Sequence, residues 1–129
     1  MQAPVTSFYA ALLALLFVLL SMRVIRVRHR TKVAFGTADD PELERRTRVH
    51  ANFAEYVPFA LLLIALVELG GAADWAVHAL GLTLLAGRAA HAYGVSRARE
   101  NFRFRIAGMA MSFTVLLASA LYLLGGALA

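Results

Sequence analysis

Four polar side chains recur along one stretch of the chain at spacings of three, four and three: Arg45, Arg48, Asn52 and Glu55. On a helix that turns 100° per residue they fall within an arc of about 80°, a single polar stripe. A guanidinium, an amide and a carboxylate on one face can cradle a small zwitterionic ligand. The plainer reading is a ladder, in which Arg48 and Glu55 satisfy Asn52 or a neighbouring helix and glue a bundle together. His50 points elsewhere, roughly 140° round from Glu55 on the same geometry.

A second set follows. Arg88 and His91 lie three apart on one helical face, with Tyr93 further round, and Arg97 and Arg99 come just beyond. Arg103 and Arg105 then precede a clean apolar run, which makes Arg105 the deepest charge of that connection. Arg97 and Arg99 read as anchors that snorkel to the water layer. Many guanidinium groups with few acids to neutralise them would draw an anion.

Other chemistries fail on residue type or spacing. With no cysteine, the chain has no disulfide, no CxxC redox pair and no thiol nucleophile of its own. There is no HExxH pairing, and His50 is off the stripe, so no metal site is expected. The serines stand in no readable arrangement with a histidine and an acid, and no glycine loop has phosphate-binding form.

The elements that must carry these residues are set by composition. Hydrophobic residues make up 60% of the 129, and charged ones only 16%, against about 45–50% apolar in soluble domains. Twelve of the 21 charges lie between Arg23 and Arg48 and five between Arg97 and Arg105, leaving Glu55, Glu68, Asp74 and Arg88 elsewhere. Charge confined to two segments is the mark of a chain whose other surfaces meet lipid. One all-α domain over 1–129 is expected, a four-transmembrane-helix bundle with spans near 4–25, 45–69, 74–96 and 105–127, each long enough for a bilayer core of about 30 Å. Residues 1–22 carry no charge and their positives follow rather than precede, so a transmembrane span fits better than a cleaved signal peptide. Pro41 suits the first turn of the second helix, Gly70-Gly71 ends it, and Asp74 is expected to cap the third.

Twelve of the 13 basic residues fall in the first and third connections. The positive-inside rule therefore puts both basic loops in the cytoplasm and both termini on the opposite side of the membrane. Tyr9, Trp75 and Tyr122 fall near span ends on the opposite side, where amphipathic rings sit. This topology explains the net charge of +5 without nucleic acid. Ala10 with Ala14, and Gly108 with Ser112, permit close helix packing.

The run Glu44-Arg45-Arg46-Thr47-Arg48-Val49-His50-Ala51-Asn52-Phe53-Ala54-Glu55, closed by Pro58, resembles the MAPEG family, the membrane-associated proteins of eicosanoid and glutathione metabolism. Gly87-Arg88-Ala89-Ala90-His91-Ala92-Tyr93 and the arginine-rich entry to the fourth span are similar as well. The likeness runs over about residues 5–125 and is greatest to small bacterial members. It implies a homotrimer that binds glutathione between subunits near the cytoplasmic surface. By motif it assigns Arg48, Asn52, Glu55, Arg88 and His91 to glutathione, with Arg28 or Arg30 at the end of the first helix, and Tyr93 beside them. Arg105, or else Arg103, matches the arginine that stabilises the thiolate. Val95 stands where prostaglandin E synthase-like members place a tyrosine.

If the chain does thiol chemistry, the thiol is borrowed. The first expectation is therefore a glutathione S-transferase or glutathione peroxidase-like enzyme, with glutathione as cosubstrate and no metal. Its other substrate would be a lipophilic electrophile or lipid hydroperoxide arriving from the bilayer. The alternative is a non-catalytic protein of the same fold that binds a lipid, a small anion or a partner protein. A small transporter is disfavoured because no span is interrupted in the manner of transporter helices.

Overall fold

A computed structural model describes residues 2–128; Met1 and Ala129 of the expected 1–129 domain lie outside it. It is all-α, with α1 Pro4–Thr31, α2 Pro41–Leu69, α3 Asp74–Ser96 and α4 Phe102–Leu128. α2 and α3 form the middle of the bundle and touch every other helix, whereas α1 and α4 flank them without meeting. Leu13, Leu20, Val49, Phe53, Val57, Ile64, Val77, Leu84 and Val115 pack between the helices. Large apolar side chains also cover the outside, among them Leu15, Val18 and Leu19 on α1 and Phe113, Leu117 and Leu121 on α4. Apolar residues on both the inner and the outer faces are what a lipid solvent requires.

Helix ends follow local chemistry. Pro4 opens α1, and Lys32 ends it in the left-handed region at φ 57°. α1 therefore runs past the expected boundary near residue 25, because the span estimate marks the end of the hydrocarbon rather than the end of the helix. Asp40 caps α2 by accepting from the Leu43 amide at 2.8 Å, with Pro41 in the first turn as expected. Glu42 and Glu44 follow in that turn, where a helix dipole favours acids. Asp74 does not cap α3: Ala73 holds the cap position and Asp74 is the first helical residue, making no cap bond. It sits one residue too far along to reach the orphan amides, though its charge still suits the dipole.

α1, α2 and α4 are long and apolar enough to cross a membrane. α3, the third expected span, falls short on apolar content because it carries His78, Arg88 and His91. Arg88 and His91 are buried among the other helices, so lipid does not meet them.

The end of the bundle formed by the α2–α3 turn is tied by a bond no local pattern reveals. The Glu68 carboxylate accepts from the backbone amides of Val5 at 2.9 Å and Thr6 at 2.7 Å. These are first-turn donors of α1 with no partner inside their own helix, and the carboxylate also meets the positive end of the dipole. Glu68→Gln keeps one acceptor but loses the charge; thermal unfolding in detergent should show a loss of about 1–2 kcal/mol. Nearby, Tyr9 is not an interfacial ring. It is buried across Gly81 with its hydroxyl 3.2 Å from His78 Nδ1, joining α1 to α3. Trp75 and Tyr122 remain exposed at this end.

Candidate functional site

At the opposite end, where both basic connections lie, α2, α3 and α4 enclose a cavity of about 350 Å³. α2 contributes Pro41, Glu44, Arg45, Arg48 and Asn52, α3 contributes His91 and Val95, and Glu100 and Arg105 come from the last connection and α4. The period of the polar stripe thus delivers three of its four members to one wall. Glu55, the fourth, is exposed and outside the lining.

Arg88 lies beneath the cavity and is only 2% exposed. Its Nη1 donates to Asn52 Oδ1 at 2.8 Å, and its Nη2 lies 3.7 Å from the Met109 sulfur. Its Nε is buried without a partner, and no carboxylate pairs with it among the described residues. Asn52 is therefore satisfied from α3, not by Arg48 or Glu55 along its own helix. A guanidinium held under the cavity floor without a counter-charge leaves the site electropositive.

Close approach of α3 and α4 places the remaining groups. A Cβ on Gly108 would collide with the Gly87 carbonyl oxygen and lie 2.7 Å from the His91 backbone nitrogen. A Cβ on Gly94 would come within 2.8 Å of the Arg105 nitrogen. The Asn101 amide bonds the Gly94 carbonyl at 3.0 Å, folding the connection back onto α3. Small residues at these crossings bring Arg105 to the cavity that His91 lines. There the Arg105 Nη1 meets Glu100 Oε1 at 2.6 Å, with 46% of its side chain exposed. Glu44 and Glu100 are the charged lining residues that sequence reasoning missed, although Glu44 directly precedes the polar stripe and Glu100 is the only acid in its connection, five residues before Arg105.

Other expected site residues stand apart within one protomer. Arg28 bonds the carbonyl oxygens of Val33, Ala34 and Gly36, at 2.9 Å for the last, and so braces the connection after α1. Arg30 pairs with Glu42, whose carboxyl it holds below the ordinary value through that hydrogen bond. Tyr93 is exposed, accepts from Arg97 at 2.6 Å and packs edge-on against Phe104. Arg103, in the first turn of α4, is exposed and outside the cavity lining. His50 does leave the stripe, bonding Ser21 at 3.0 Å and stacking on Phe17 of α1.

Membrane-length apolar helices around a cation-lined pocket define an integral membrane protein with a polar site at one end of its bundle. Residues 6–125 match the MAPEG family, and the chain belongs to it. It is 41% identical over 113 residues to the inner membrane protein YecN of Escherichia coli strain K12, covering 88% of this chain and 85% of that one. The protein of that name from Escherichia coli O6:H1 matches to the same extent.

Proposed function

We propose that the protein is a glutathione-dependent membrane transferase or peroxidase acting on lipophilic electrophiles or lipid hydroperoxides. The observation that carries this reading is the buried, unneutralised Arg88 guanidinium beneath a cavity lined by Arg45, Arg48 and Arg105. A net anion with two carboxylates and an amine fits that set. Arg45 and Arg48 can bind carboxylates in fork geometry, Asn52 is oriented by Arg88, and Glu44 offers an acceptor for an ammonium. When bound, glutathione supplies the nucleophilic thiol that a chain without cysteine lacks. Arg105 stabilises the negative charge on that sulfur by the electrostatics that lower cysteine pKa values.

Exposed Arg48 and Glu55, seven residues apart on the open face of α2, are costly against lipid. A second copy of the chain packed there would cover them and bring Glu55 to a shared site, which supports a subunit contact that binds glutathione; the number of copies, three, follows from the family alone. The relatives' name supports a bacterial inner membrane location. The charge pattern supports cytoplasmic basic loops and periplasmic termini.

The Arg105–Glu100 pair favours a second reading, a non-catalytic member that binds a lipid, a small anion or a partner protein, because the guanidinium is already neutralised. One assay separates the two. Purified protein in detergent is given glutathione and then a generic aromatic electrophile, with thermal shift and thioether formation as readouts. The enzyme reading expects saturable stabilisation and turnover. Stabilisation without turnover selects the second reading, and the absence of both removes glutathione altogether.

A further inference from the structure

A second group of arginines lies between the end of α1 and the start of α2, apart from the cavity just described. Arg23, Arg26 and Arg30 follow one face of α1 at spacings of three and four, and Arg46 approaches them from α2. With Val27 and Glu42 they enclose a cavity of about 280 Å³. Glu42 is the only acid there; it bonds Arg30 through one oxygen and lies 3.7 Å from Arg46 through the other. One carboxylate faces four guanidiniums. Nη1 of Arg46 is buried with no partner, and 18% of the side chain is exposed. A buried donor left unpaired, among cations that repel one another, is the arrangement an oxyanion relieves.

The surroundings say which oxyanion. Arg23 is the first charge after the apolar stretch of α1, so the cluster sits where the hydrocarbon ends. Leu19 and Met22 lie one turn before Arg23 and Arg26 on the same faces, and both are exposed, as is Leu15 a further turn back. An apolar track therefore runs down α1 directly below the cationic cavity. We propose that this α1–α2 cleft binds the phosphate of an anionic phospholipid headgroup, whose acyl chains lie along Leu15, Leu19 and Met22. Arg23, Arg26 and Arg46 hold the phosphate, while Arg30 stays with Glu42. A basic pocket between membrane helices at the water boundary is suited to such headgroups. The site does not depend on the glutathione reading, since none of its residues lines the other cavity.

The test is lipid retention, read by native mass spectrometry after detergent extraction from bilayers of mixed phosphatidylglycerol and phosphatidylcholine. The wild type is expected to keep phosphatidylglycerol in preference. Arg23→Gln with Arg46→Gln lowers that retention roughly twenty-five-fold, at about fivefold for each arginine near the surface. If the pair does not fold, Arg26→Gln alone, at an exposed position, gives about a fivefold loss. Glu42→Gln acts in the opposite direction and raises retention, a result that damage to the fold does not produce. Equal retention of the two lipids, or arginine variants that hold lipid as the wild type does, overturns the proposal. Displacement by millimolar inorganic phosphate assigns the cleft to a free anion and overturns the lipid reading.

Discussion

Arg105→Ala is expected to lower glutathione conjugation about 10²–10³-fold, the usual loss when one preorganised donor to developing charge is removed. The reason is local. Arg105 is the one cation that α4 brings to the cavity, and it reaches the wall opposite the α2 stripe. Arg45, Arg48 and Asn52 still bind carboxylates in the variant, so the glutathione-induced thermal shift is largely kept while turnover falls. The pH–rate profile separates this role from simple damage. Without the guanidinium, the rate should climb towards the ordinary thiol range, near pH 8.5, instead of levelling off below it. Arg105→Lys keeps a positive charge and recovers part of the rate, and Glu100→Gln frees the guanidinium from its present partner. Turnover unchanged in Arg105→Ala would move thiolate stabilisation elsewhere and leave the binding reading standing.

Gly108→Ala is expected to destabilise the protein by about 3 kcal/mol or more, and Gly108→Val to prevent folding. The added carbon would strike the Gly87 carbonyl and lie 2.7 and 2.8 Å from the backbone nitrogen and Cβ of His91. None of these atoms is the end of a flexible side chain, so α3 and α4 have to separate along their whole shared contact. Parting them also draws Arg105 away from His91, so ligand binding should fail together with the fold. Gly125→Ala is the control. It lies in the same helix with nothing within 4 Å of the added carbon, and replacing a helical glycine there should be neutral or stabilising by up to about 1 kcal/mol. Equal melting temperatures for the two alanine variants would show that the crossing is looser than described.

The polar stripe on α2 was legible because helical period alone decides which residues share a face. Arg45, Arg48 and Asn52 meet in one cavity for that reason, and His50 leaves it for the same one. Glu55 obeys the period too, yet it lies deeper and faces outwards, where one protomer has nothing to offer it. The partner of Asn52 was not legible. Arg88 lies 36 residues away, and no periodicity chooses between helices. The partners of Arg28 and Arg30 within the protomer were not legible either, because the chain after α1 folds back onto them, a tertiary event without a sequence pattern. Tyr9 was misplaced for a related reason. An aromatic near a span end suits the membrane interface equally well, and only Gly81 opposite it makes room for the ring inside the bundle.

The Glu68 carboxylate that holds the first amides of α1 comes 62 and 63 residues later in the chain. During synthesis α1 leaves the insertion machinery before its first-turn amides have their protein acceptor, and they gain it only once the whole of α2 has emerged. The first two helices therefore become a finished insertion unit only together, as a hairpin locked at its open end. A nascent chain stalled before Glu68 would hold a leading helix that is long and apolar enough to span the bilayer but still free to slide or turn in it.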